Sequence, residues 1–144
     1  MRALGIDYGE RRIGLALSDA TGLLASPWKT MANDSDVENA ARRLVDEARR
    51  LQGEEIGLGA IVIGLPRRLG GEPHEQTARV QRLAALVSAQ LEVPVVLQDE
   101  RLTSHEAEGL LARRERDWRR RKAQLDAMSA ALILQDFLDH QPRP

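Results

Sequence analysis

Cysteine is absent from the chain, and its absence removes disulfides, thiolate zinc sites and thiol catalysis together, so stability must come from packing. Histidine is scarce: His74, His105 and His140 are scattered, with no pair at the spacing that puts two imidazoles on one helix face, and a histidine-rich zinc site has little support. No uninterrupted apolar run approaches the roughly 20 residues that span a bilayer, which excludes a transmembrane reading. The opening MRALGIDYG meets Asp7 almost at once and lacks the long apolar core of a secretory signal, so a cytoplasmic protein without a membrane partner is expected. An excess of one charge is missing too. The net charge of −1 argues on its own against attachment to nucleic acid through bulk positive potential.

What is present is enough for one ordinary domain. A length of 144 residues and a hydrophobic fraction of 42% suit a single globular unit spanning 1–144. Charge is neutral in sum but uneven in place. Between Arg113 and Lys122 the run RRERDWRRRK sets seven basic residues against Glu115 and Asp117, with Trp118 among them. With cysteine and clustered histidine excluded, hard cations on carboxylates remain as the available metal chemistry.

The segments ALGIDYG and RIGLALSD are short, apolar and separated by the polar turn GERR, which predicts two antiparallel strands. LLASPW reads as a third strand of the same meander, with Pro27 at its end because proline cannot donate to a ladder. From Asn33 to Leu51, apolar residues from Val37 to Leu51 recur at helical spacing, with Asn33, Asp34 or Ser35 to cap the start and Gly53 to close the end. GAIVIGLP is a continuous apolar run of the kind found in a strand covered on both faces. RRLGGEPHE is a loop, Thr77 to Leu91 a helix, and VPVVLQDE a strand, an order that predicts parallel strands joined by a crossover helix. A third helix is expected near Thr103, where Thr103-Ser104-His105-Glu106 fits a capping box, and a last one over QLDAMSAALILQDFLD, apolar on most of its circumference. The sum is an α/β domain with a mixed sheet.

Carboxylates stand at three places where burial makes a bare charge costly. Asp7 follows Leu4 and Ile6 near the end of an apolar strand; it is either a ligand or a local partner of the Gly9 turn, Arg11 or Arg12. Asp99 and Glu100 finish VPVVLQDE, at a strand end of the kind where functional groups gather in open α/β sheets, with a salt bridge to Arg101 or Lys122 as the plainer explanation. Asp126 precedes Ala130, Ile133 and Phe137 by four, seven and eleven residues, which puts an acid on an apolar helical stripe; the alternative is a narrow polar edge or a first-turn acid complementing the dipole. Three converging acids suit magnesium or manganese. Two such ions about 4 Å apart can activate a water and stabilise the leaving oxygen of a phosphodiester.

GIDYGERRIGLALSD, VIGLP, QDERLTSHEAE and KAQLDAMSAALILQDFLD resemble the four signature blocks of the YqgF (RuvX) family, in the family's order and over nearly the whole chain. The combination is highly specific, although any one block is not. The resemblance implies a ribonuclease H-like fold, a mixed sheet of an antiparallel three-strand meander plus parallel strands flanked by helices. It also implies a hydrolase of nucleic acid, acting either in Holliday junction resolution during DNA recombination or in pre-16S rRNA processing during ribosome biogenesis. Carried over by position, it makes Asp7, Glu100 and Asp126 catalytic residues that ligate Mg2+ or Mn2+. Arg101 of the DER block would sit beside them, either on a scissile phosphate or paired with Asp99. The chain departs from the family pattern after VIGLP, where it reads RRLGG, and at Ala123, where glycine commonly follows the lysine. Neither departure touches the three acids, but Arg67 and Arg68 would alter the grip on substrate.

Arg119, Arg120, Arg121 and Lys122 directly precede Asp126 and are placed to neutralise a phosphate backbone, and Trp118 could stack on an unpaired base. A solvated helical surface with a packed Trp118 is the plainer alternative. Tyr8, beside Asp7, could stack likewise or belong to the core. The expected partner is therefore structured RNA or branched DNA. Symmetric cutting of a four-way junction is most naturally done by a homodimer, whereas end trimming needs only a monomer. Two other readings compete: a binding module of the same fold without turnover, and an ATP-binding domain of actin or hexokinase type, suggested by Asp7-Tyr8-Gly9 followed by Gly14. The latter normally needs two such domains closing on the nucleotide.

Overall fold

A computed structural model describes residues 1–66, 75–99 and 118–141, with the side chains of 118–123 excepted. Arg67, Arg68, Glu100, Arg101 and the helix expected near Thr103 lie outside the described residues. The described elements run β1 (Arg2–Tyr8), β2 (Arg12–Ser18), β3 (Ala25–Ala32), α1 (Val37–Gln52), β4 (Leu58–Leu65), α2 (Thr77–Ser88), β5 (Val95–Asp99) and α3 (Trp118–Asp139). They form a five-stranded sheet of order β3-β2-β1-β4-β5. β1 pairs antiparallel with β2, and β2 with β3, while β1–β4 and β4–β5 are parallel. This is the mixed sheet expected from the meander and the crossover helix.

The two faces of the sheet differ in residue size. Successive side chains of a strand point to opposite faces. On one face Leu4, Ile6, Ile13, Leu15, Ile61 and Ile63 pack with the buried stripes of α1 and α2, including Leu44, Ala48, Val80 and Leu83. On the other, the small Ala3 and Ala16, together with Val62, lie under Ala130, Ile133 and Leu134 of α3. Small residues are required there because α3 comes so near. A Cβ added at Gly5 would stand 2.8 Å from the Leu134 Cβ and 2.9 Å from the Ala130 carbonyl oxygen. The apolar stripe that Ala130 and Ile133 continue from Asp126 is thus the face that α3 turns to the sheet.

Four local expectations are corrected by the structure. β3 continues past Pro27 to Ala32, because Pro27 sits on an edge strand at an irregularity: Lys29 stands opposite Leu15 and Pro27 opposite Ala16, leaving Trp28 as the extra residue. α1 is capped by Asp36, whose carboxylate accepts from the Glu38 and Asn39 amides, and not by Asn33, Asp34 or Ser35. Asn33 is already engaged: its side chain donates to the Gly9 carbonyl oxygen at 2.7 Å. α2 ends at Ser88, three residues short of the predicted Leu91. α3 is already helical at Trp118, six residues before Gln124, so Arg119, Arg120, Arg121 and Lys122 belong to the same helix as Asp126. Arginine and lysine are good helix formers, and no breaker intervenes. Among the described residues, no helix is long and apolar enough to cross a membrane.

Candidate metal centre

Asp7 occupies the next-to-last position of β1, and the alternation that puts Ala3 and Gly5 under α3 puts Asp7 on that same face. Its cross-strand partner on β2 is Gly14. Gly14 in turn carries the backbone of α3: a Cβ placed there would fall 1.9 Å from the Asp126 carbonyl oxygen and 2.2 Å from its carbon. No other residue type fits, and the contact brings Asp126 of the last helix next to Asp7 of the first strand. The Asp126 backbone thus rests on the one β2 position that has no side chain, and that position stands opposite Asp7.

Asp126 is held rather than loose. Arg12 Nε donates to Asp126 Oδ2 at 2.6 Å, with the arginine side chain 40% and the aspartate 20% exposed. A charge-assisted bond of this length is stronger than a neutral one. Arg12 is positioned by the β1–β2 turn, which Gly9 closes by donating its amide to the Arg12 carbonyl at 2.9 Å. The segment before α1 braces that turn: the Asn33 amide donates to the Arg11 carbonyl oxygen, and the Ser35 hydroxyl to that of Glu10.

β5 finishes at the same end of the sheet. β1, β4 and β5 are parallel, and Asp99, the last residue of β5, stands opposite Leu65 at the end of β4. Asp99 is exposed. Glu100 follows it directly in the chain but lies outside the described residues, so among these no group of three His, Cys, Asp or Glu converges. The described pair offers carboxylate oxygen alone, the donor chemistry that magnesium and manganese take.

The other expected residues are placed less uniformly. Tyr8 points away from Asp7 into the core beneath α1 and α2, only 4% exposed, so its ring is not presented to a base. Trp118, Arg119, Arg120, Arg121 and Lys122 lie on α3 in the turns before Asp126, and their side chains are outside the description. Two contributors escaped sequence reasoning. Gly14 has a visible signal, a lone glycine within an apolar strand, which marks close backbone approach. Arg12 has none as a partner of Asp126, because 114 residues separate them.

Comparison with known proteins bears on the family and the fold. The RuvX family, described as Holliday junction resolvase, matches residues 1–140. A protein of Pelotomaculum thermopropionicum, named provisionally a pre-16S rRNA nuclease, is 39% identical over 144 residues, covering 100% of this chain and 90% of the relative. One from Chloroflexus aurantiacus with the same name is 43% identical over 136 residues, 94% of this chain and 85% of that one. Among solved structures, RuvC of Thermus thermophilus superposes with a TM-score of 0.55 at 14% identity, covering 96% of this chain and 94% of that one. The RuvC of T. thermophilus in complex with Holliday junction substrate gives 0.53 at 15% identity, covering 96% and 93%. At such identity the likeness concerns the fold, which is the ribonuclease H-like one of RuvC. The family match over nearly the whole chain and the near-full-length relatives carry the assignment further: the chain belongs to the RuvX family.

Proposed function

We propose that the chain is a single-domain cytoplasmic nuclease that hydrolyses phosphodiester bonds in structured nucleic acid, with magnesium or manganese held by Asp7, Glu100 and Asp126. The observation that carries this reading is the packing of the Asp126 backbone on Gly14, the residue that pairs with Asp7. Carboxylates on neighbouring positions of one face are compatible with a cation beside them. Arg12 supplies one such charge to Asp126, and a hard cation suits the remaining oxygens. Glu100 would complete the set from the end of β5. When bound, the metal supplies an activated water and stabilises the leaving oxygen.

The chain's own residues do the rest. Asp7 and Asp126 would act as ligands and not as nucleophiles, with Asp126 positioned by its backbone packing on Gly14 and its bond to Arg12. Arg101, beside Glu100 in the chain, would contact the scissile phosphate. Arg119, Arg120, Arg121 and Lys122, in the turns before Asp126, would neutralise flanking phosphates in a salt-dependent, sequence-independent way. Arg67 and Arg68, after β4, would extend that grip.

Both substrates named among the relatives need this chemistry: a ribosomal RNA precursor and a four-way DNA junction. The names of the near-full-length relatives favour the RNA, and the family description favours the junction. Side-by-side cleavage of labelled junctions and structured precursor RNA, in magnesium, manganese and chelator, tests the proposal. Metal-dependent cutting of either supports it, and the faster substrate identifies the physiological class. Symmetric cutting of a junction is most naturally done by a homodimer, so a junction preference goes with a dimer in solution. Tight binding with no cutting of either substrate would replace the proposal with a binding module.

A further inference from the structure

Arg12 is bonded differently from the other paired arginines among the described residues. Arg2, Arg43, Arg50 and Arg82 each donate through a terminal amino nitrogen, to Glu54, the Ala32 carbonyl oxygen, Glu47 and Glu38 respectively. Arg12 donates instead through Nε, to Asp126 Oδ2 at 2.6 Å. Its Nη1 and Nη2 donate to no partner among the described residues, and the side chain is 40% exposed. The end of the guanidinium fork is therefore open for a second oxyanion.

This guanidinium is fixed in place and stands at the acids. Arg12 opens β2, and its carbonyl oxygen closes the β1–β2 turn by accepting the Gly9 amide at 2.9 Å. Asn33 bonds that turn twice, through its amide to the Arg11 carbonyl oxygen and through its side chain to that of Gly9. Arg12 alternates with Ile13 and Leu15, which lie on the α1 and α2 face, so it shares the α3 face with Gly14. It stands two residues before Gly14, the partner of Asp7, and is thus a diagonal neighbour of Asp7 on that face. A bare phosphodiester approaching Asp7 and Asp126 meets like charge. The bond from Arg12 offsets the charge of Asp126, and the open Nη1 and Nη2 end offers paired donors at the planar spacing that a phosphate accepts.

We infer that Arg12 is a phosphate ligand: anchored on Asp126 through Nε, it grips through Nη1 and Nη2 the oxygens of the substrate phosphate that lies at the acids. The inference rests on the nuclease reading for its phosphodiester and adds to it a recognition residue that the reading lacks, supplied by the β1–β2 turn. A pair that served folding alone would give Arg12 no part in substrate binding.

The salt dependence of binding tests the inference, measured on a labelled four-way DNA junction and a structured precursor RNA in calcium to suppress cleavage. Each phosphate contact contributes about 0.7–0.9 to the slope of log K against log salt. Arg12→Gln should reduce the slope by that amount and weaken binding at low salt about 10-fold or more. Arg12→Lys keeps the charge and loses the fork, so it should restore the slope and only part of the affinity. Arg79→Gln removes the same charge from the exposed side of α2, on the opposite face of the sheet, and should change neither. An unchanged slope in Arg12→Gln, or an equal fall in Arg79→Gln, would overturn the inference. Cleavage in magnesium and manganese separates the two proposals: a native protein that cuts neither substrate strikes the nuclease reading, while a slope reduced in Arg12→Gln still supports the phosphate contact. A native protein that binds neither substrate overturns both.

Discussion

Arg12 Nε and Asp126 Oδ2 lie 2.6 Å apart, joining the first residue of β2 to the last helix. The guanidinium occupies a carboxylate oxygen that a metal would also seek. Binding of a divalent ion must therefore compete with, or rearrange, this pair.

Replacing Arg12 by Gln removes the competing charge. The pair is partly solvent-exposed, which limits its worth to about 1 kcal/mol. Titration calorimetry should show Mn2+ bound about 5-fold more tightly by Arg12→Gln than by the native protein, with the melting temperature of the metal-free protein slightly lowered. Unchanged or weaker Mn2+ binding would show that Arg12 does not oppose the metal.

Gly14→Ala sets a methyl group against the backbone of α3, with the Asp126 carbonyl oxygen 1.9 Å away. Backbone cannot yield as a flexible side chain can, so α3 must shift. The expected loss is about 1–3 kcal/mol or more, together with loss of metal binding as Asp126 moves from Asp7. Gly53→Ala is the matching control: its Cβ would meet nothing nearer than 3.5 Å, at a backbone φ of −75° that alanine adopts freely. Denaturant melts should separate the two variants clearly, and equal stability would contradict the close approach.

Stability should fall in acid for a specific reason. The Thr21 hydroxyl, then the Leu24 and Leu23 amides, hold the Asp19 carboxyl below its ordinary 3.8, and the Asp36 amide and Asn39 side chain do the same for Asp34. A depressed native value means that stability is fully present above 3.8 and is lost as pH falls through the native value. His140 acts in the opposite sense. Its ring bonds the Asp136 carbonyl and faces the Asp136 charge, raising its value above 6.5, so its contribution is present below 6.5 and lost as pH rises through the raised value. Urea melts across this range should show Asp19→Asn flattening the acid limb and His140→Gln flattening the limb above 6.5. Unaltered limbs would remove these groups from the account.

Much of this was legible in the sequence, and the failures have physical causes. The meander, the crossover helix and the buried stripe of α3 follow from apolar periodicity, which burial enforces directly. The choice of face was legible as well, since Ala3, Gly5 and Asp7 alternate with Leu4, Ile6 and Tyr8 and only the small set admits a close helix. That alternation also places Tyr8 in the core, away from any substrate. β3 was cut short because Pro27 reads as a terminator, whereas an edge strand with an irregularity carries it. The α1 cap was misplaced because Asn33, Asp34, Ser35 and Asp36 are all good caps, and tertiary bonding of Asn33 to Gly9 decides among them. The Arg12–Asp126 pair lay beyond reach because no local rule links residues so distant in sequence.

The most direct test of the central claim is Mn2+ binding to Asp7→Asn and Asp126→Asn, followed by electron paramagnetic resonance of the free ion. Both variants keep the shape of the carboxylate and lose its charge. The account predicts that each loses Mn2+ binding while retaining the native fold by circular dichroism. Native-like Mn2+ binding by either variant would contradict a metal held between β1 and α3.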